Sequence, residues 1–148
     1  MERESLTAVL KRAAEDLGYV FYIGSESLLA AKVTVLPAVW LTVPVLKRVS
    51  GRRERRDTYA VRLRLMMAGV PDDAGSREVW RILEDDAAAL YGAVRACERV
   101  RSVRGLKVSP ETKPLTPRGE TAVAAEFEAE MFYYGHENEV YNSMMSFL

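Results

Sequence analysis

Apolar and polar residues alternate one for one along two separate stretches, 58–68 and 120–133, and such alternation marks a strand with one buried face. In the first, Tyr59, Val61, Leu63, Leu65 and Met67 share a side opposite Thr58, Ala60, Arg62, Arg64 and Met66. In the second, Thr121, Val123, Ala125, Phe127, Ala129, Met131 and Tyr133 oppose Glu120, Glu126, Glu128 and Glu130. Two long half-buried strands need a second layer over their apolar sides. Their polar sides are complementary: Arg62 and Arg64 can face glutamates 126, 128 and 130, so the strands are read as antiparallel neighbours or as strands meeting across subunits.

Two helical patterns supply the covering layer. Leu6, Val9, Leu10, Ala13, Ala14 and Leu17 recur at three-and-four spacing, with Gly18 placed for a left-handed cap, which predicts a helix over 4–17. Residues 69–75 read as a turn-rich connection. Ser76 is then the expected cap of a helix with an apolar stripe of Val79, Ile82, Leu83, Ala87, Leu90, Tyr91, Val94 and Cys97. Shorter strands are predicted at 19–23, at 38–43 between Pro37 and Pro44 and close to a sheet edge, and at 103–108. A proline-bearing loop with Pro110, Pro114 and Pro117 follows. The expected fold is α+β: a mostly antiparallel sheet of four to five strands with two helices packed on one face, in the order α-β-β-β-α-β-β. It forms one domain over 1–134, followed by a segment, 135–148, read as a partner-docking tail, a short helix or a stretch folded back on its own chain.

Composition narrows the function classes. Lys and Arg together number 21 and so do Asp and Glu, which removes a whole-molecule electrostatic argument for nucleic-acid binding and leaves only local patches. Cys97 is the only cysteine, so one chain builds no disulfide, and a reducing compartment is expected. The opening residues carry charges of both signs, unlike an export signal. The longest nearly uncharged run, 33–46, is broken by two prolines and is shorter than the roughly 20 residues of a membrane span. A cytoplasmic protein is expected.

Candidate chemistry is sparse. His136 is the only histidine, and beside Gly135 it reads as a solvated loop residue. Cys97 lies on the apolar stripe and reads as an inert thiol. Asp72 and Asp73 suit a turn. Glu84, Asp85 and Asp86 suit the polar side of a helix, although such carboxylates could instead hold Mg²⁺. No glycine-rich phosphate loop occurs. The expectation is a non-enzymatic chain with no cofactor and no metal.

Residues 47–56 form the strongest local feature, with six bases and one acid: Lys47, Arg48, Arg52, Arg53, Arg55 and Arg56 around Gly51, and Glu54. They read either as a solvated hairpin loop or as a grip for phosphates, but no aromatic residue interleaves them to stack on bases. From 119 to 148 there are six acids and no Lys or Arg. This asymmetry can be satisfied inside the fold or can join copies head to tail. Tyr141, Met144, Met145, Phe147 and Leu148 form an apolar group suited to docking.

Taken together, the helix ending at Leu17-Gly18, the segment Leu36-Pro37-Ala38-Val39-Trp40-Leu41, the charged hairpin, the strand Tyr59-Ala60-Val61-Arg62-Leu63-Arg64-Leu65, the long helix from Ser76 and the final strand resemble the tail terminator, or tail-completion, proteins of phages and prophages. The resemblance is one of element order over about 3–134, without a signature motif. It implies a small subunit that forms a homo-oligomeric ring, commonly a hexamer, capping the tail tube and joining it to head and neck proteins. It also implies a location in the host cytoplasm and the virion, with the hairpin around Gly51 facing a ring lumen or an adjoining ring. Residues 135–148 depart from the family's compact pattern. The alternative reading is a nucleic-acid-binding accessory protein that uses the same basic loop.

Overall fold

A computed structural model describes residues 5–132, the side chain of Asp73 excepted. In chain order the elements are α1 (Leu6–Asp16), β1 (Val20–Gly24), a 3-10 turn (Glu26–Leu28) leading into α2 (Leu29–Lys32), β2 (Ala38–Ser50), β3 (Arg56–Met67), α3 (Asp73–Arg95), β4 (Val100–Pro110) and β5 (Thr121–Phe132). The five strands form one sheet in the order β1-β2-β3-β5-β4, parallel only between β1 and β2. This is the expected α+β class, with one short helix added.

The main core lies between the sheet and α1 with α3. Tyr59, Val61, Leu63 and Leu65 of β3 and Val123, Ala125, Phe127, Ala129 and Met131 of β5 are buried there, as the alternation requires. They meet Leu6, Val9, Leu10, Ala13 and Ala14 of α1 and Leu83, Ala87, Leu90 and Val94 of α3. Tyr91 meets Phe127 edge to face at 5.3 Å. Each large side chain so buried stabilises the fold by about 1.5–3 kcal/mol. Ile82 and Leu17, counted in the helical stripes, stay about 40% and 39% exposed. The covered stripe is thus narrower than the periodicity indicates.

Capping fixes the helix ends. Ser5 accepts from Ala8 N (3.1 Å) at the start of α1. At its end Gly18 adopts φ +91, Gly18 N donates to Glu15 O and Tyr19 N to Ala14 O, the paired closure that a left-handed glycine permits. For α3 the cap is Asp72 rather than Ser76, because Asp72 Oδ1 accepts from Gly75 N at 2.5 Å and the helix opens a turn earlier.

Two strands outrun their expected bounds. β2 continues through Pro44, where the register shifts between Thr42 and Val45. β1 ends opposite Thr42, so the missing N–H of Pro44 breaks no bond to β1. β4 covers 100–110 instead of 103–108, with a register shift between Arg104 and Lys107 that Gly105 (φ +73) accommodates.

A second, smaller core sits on the opposite face. Leu29 and Val33, spaced four apart on and just past α2, close over Ala38, Trp40, Met66 and Ala122, with Tyr22 stacked on Trp40 at 6.3 Å. Parallel pairing of β1 with β2 demands a crossover, and residues 25–37 supply it. The loop 111–119 leans on this cluster through Leu115. Its root is tied by the buried Glu120 carboxylate, which accepts from Leu115 N (2.6 Å), Thr116 N (3.0 Å) and Thr116 Oγ1 (2.5 Å). Arg118 Nη1 donates to Val33 O, joining loop and crossover.

Candidate functional site

Beyond Thr42 the β2 strand has β3 on one side and, among the described residues, nothing on the other. Residues 45–50 therefore form an open sheet edge alongside 56–60 of β3, one arm of a long hairpin, and are all exposed. Three apolar side chains lie in the arm, Val45 (57% exposed), Val49 (49%) and Leu46 (39%). Gly51 turns the chain at φ +96, and a Cβ there would stand 2.0 Å from Glu54 O. Gly51→Ala is accordingly expected to destabilise by about 1–3 kcal/mol or to reshape the loop. Urea unfolding of the variant, with amide shifts at 50–56, checks this.

The hairpin sorts its six bases into two groups. Lys47 Nζ binds Glu128 (2.9 Å), Arg55 Nε binds the buried Asp57 (2.9 Å), and Arg56 approaches Glu130 (4.0 Å). Arg48, Arg52 and Arg53 are exposed and make no ion pair among the described residues. The arm thus presents three available guanidiniums and an apolar edge on a braced support.

Across the adjoining sheet face, the carboxylates of β5 are occupied. Glu126 pairs with Arg62 (3.1 Å), Glu128 with Lys47 and Arg104 (2.8 Å), and Glu130 with Arg101 (2.9 Å). The expected Arg62 contact and antiparallel pairing of β3 with β5 are present, but Arg64 lies opposite Ala124 and binds Glu26 (3.1 Å) and Glu111 (2.9 Å) instead. Glu128 and Glu130 face Ala60 and Thr58 on β3 and take their partners from β2, β3 and β4. The acidic character of β5 is therefore satisfied inside the fold. A shallow basin of about 590 Å³ opens on this face, with Lys47, Arg62, Arg104 and Lys107 around Glu126 and Glu128. Its bases outnumber its acids, so the basin extends the positive character of the arm.

Hydrogen bonds from Lys47 and then Arg104 hold the Glu128 carboxyl at about 2, below its usual 4.5. A carboxyl depressed in the folded state adds stability that is complete above pH 4.5 and is lost as pH falls toward 2. The stability gap between the native chain and Glu128→Gln is expected to be constant above about pH 5 and to close toward pH 2. Urea midpoints in a pH series read it.

The other candidate residues are not drawn together. Cys97 is half-buried against the main core past the end of α3, and Glu84 and Asp85 are exposed on α3. Asp86 turns inward and accepts from the Tyr19 hydroxyl, which burial, and then that carboxylate, push well above its ordinary range. Among the described residues, no three His, Cys, Asp or Glu side chains group as metal ligands, and no helix is long and apolar enough to cross a membrane. His136, Tyr141, Met144, Met145, Phe147 and Leu148 lie outside the described residues. Sequence alone does not reveal the exposed edge of Val45, Leu46 and Val49, because a proline at 44 predicts that β2 stops there. Compared with protein-family models and with curated proteins, the chain matches none.

Proposed function

We propose that the chain is a non-enzymatic assembly protein, a ring subunit of the kind that caps a phage tail tube and joins it to the head. The observation that carries this reading is the β2–β3 arm: Arg48, Arg52 and Arg53 stand exposed beside Val45, Leu46 and Val49 on a strand pair anchored in the sheet. Charged and apolar groups side by side on an open sheet edge suit a protein contact with an apolar centre and a polar rim. The arm contacts a neighbouring subunit or faces the lumen, and copies join head to tail into a closed ring, commonly of six. Tail tube and head–neck proteins are its further partners, in the host cytoplasm and in the virion, and no cofactor takes part.

Light scattering coupled to size-exclusion chromatography, over a series of concentrations and salt, tests this reading. One closed oligomer of defined size is the expected result. A mass of 16.6 kDa, that of a single chain, at every concentration would overturn it.

A second reading, nucleic-acid binding, is favoured by the three arginines without an ion pair among the described residues and by the excess of bases in the adjacent basin. It requires affinity that falls steeply with salt. Fluorescence anisotropy at low salt with single- and double-stranded DNA separates the two, since undetectable binding removes it.

A further inference from the structure

We propose that the open edge of the β2 arm is the docking strip for residues 137–148 of the same molecule, laid antiparallel along 45–50. The strip has the two attributes of a site for strand addition. Its outer backbone edge has no strand partner among the described residues, and Val45, Leu46 and Val49 are exposed along it.

Charge selects the occupant. A second copy of the arm would set Lys47 and Arg48 against their own kind, and β4, the sheet's far edge, carries Arg101, Arg104 and Lys107. Like charges placed opposite each other across strands are destabilising, so neither edge suits the strip. Residues 137–148 have the reverse character: Glu137 and Glu139 are their charged residues, followed by Val140, Tyr141, Met144, Met145, Phe147 and Leu148, with no Lys or Arg. The three glutamates of β5, Glu126, Glu128 and Glu130, already have basic partners in the sheet.

Topology selects the copy. Both β2 and β5 run antiparallel to β3, so β5 travels in the direction of β2 toward the hairpin tip. β5 ends at Phe132 opposite Arg56, whose partner on the other side is Ser50, the last residue of the strip. The chain thus leaves the sheet level with the end of the strip. A strand added outside β2 would lie three strand spacings away, about 14 Å. Residues 133–137, with Gly135 among them, reach up to about 17 Å. On turning back, the segment runs antiparallel to β2, with its two glutamates toward the arginines of the tip. So short a tether gives an effective concentration on the order of millimolar, which favours the chain's own segment over another's.

Zero-length carbodiimide cross-linking of the intact protein tests the assignment, using an equal mixture of ¹⁴N- and ¹⁵N-labelled chains. Lys47 joined to Glu128 serves as the internal control, since the two already touch at 2.9 Å. The expected result is an additional link from Lys47 to Glu139 or Glu137, within chains of one label. Amide exchange over 45–50 is expected to rise about tenfold or more in Glu137→Lys/Glu139→Lys, with exchange in α3 unchanged as the measure of an intact fold. Links from Lys47 confined to Glu128, or equal exchange in native and variant proteins, overturn the proposal. Mixed-label links overturn it in favour of docking between copies. Scattering mass on the same sample reports oligomer formation separately: intrachain links within a closed ring confine the subunit contact to the arginines of the hairpin tip, whereas intrachain links at the mass of a single chain keep the docking assignment and remove the ring reading.

Discussion

Trp40→Ala is expected to cost about 3–5 kcal/mol, the range for removing a fully buried large aromatic. Trp40 is 1% exposed, stacks with Tyr22 and contributes to the cluster formed by Leu29, Val33, Met66 and Ala122. Its removal opens a cavity on the outer face, beneath the crossover that holds β1 in place. For a chain of this size the melting temperature falls by roughly 6–20 °C. The urea midpoint falls with it, at unchanged slope if the rest of the sheet persists. Trp40→Phe is the informative companion, since the Trp40 indole N–H finds no acceptor among the described residues, whereas Trp80 Nε1 donates to Ala122 O at 3.1 Å. The phenylalanine variant loses volume but no hydrogen bond, so a cost smaller than that of Trp40→Ala, set by the cavity left, is expected.

Reversing the three bases that make no ion pair among the described residues, Arg48→Glu, Arg52→Glu and Arg53→Glu together, is expected to leave stability nearly unchanged while abolishing assembly. Exposed residues with no partner rarely move stability by more than about 0.5 kcal/mol each. An interface that buries the same three groups against a neighbour faces like-charge contacts instead of favourable ones. The measurement is scattering mass against concentration for native and reversed chains at matched unfolding midpoints. A ring that survives the reversal removes the arm from the subunit contact. In the nucleic-acid reading the same variant abolishes binding, and the native affinity falls with a logarithmic salt slope of roughly −3 for three phosphate contacts on duplex DNA.

The parts of this fold that sequence makes legible are those in which one local rule acts alone. Alternation gave β3 and β5, their buried faces and the Arg62–Glu126 pair, because a period of two leaves no choice of side. Gly18 marked the end of α1 for a comparably local reason. Where two rules compete, the reading failed. Pro44 predicts the end of β2 because proline breaks ladders, yet β1 is too short to reach it, and strand length is a tertiary property. Ser76 and Asp72, a turn apart, are both residue types that accept from an N-terminal amide, and only the fold selects Asp72 as the cap of α3. Leu29 and Val33 form too short a pattern to announce a helix, and only the parallel pairing of β1 with β2 explains why a crossover must fold there.

The candidate site was half legible for the same reason. Composition located the basic cluster at 47–56, but it could not say which bases the fold consumes. Lys47, Arg55 and Arg56 are drawn to carboxylates on β3 and β5, and the arginines left over are set by three-dimensional neighbours. Likewise the acids after residue 119 can, on sequence alone, be satisfied inside the fold or by another copy, and strand order decides it for Glu126, Glu128 and Glu130 by placing Lys47, Arg62, Arg101 and Arg104 beside them.

Strand order also governs how the chain is made. β3 is bordered by β2 and β5, and β5 is synthesised after every other described element. A ribosome that has delivered residues 1–110 has released α1, the hairpin and α3, but Val61, Leu63 and Leu65 then lie on a strand with one ladder unmade. Such an edge recruits any strand nearby, and on a polysome the nearest are identical nascent chains exposing the same register. The interval in which 111–132 are translated is therefore the window for mispairing, and slower elongation through it is expected to lower the yield of folded protein.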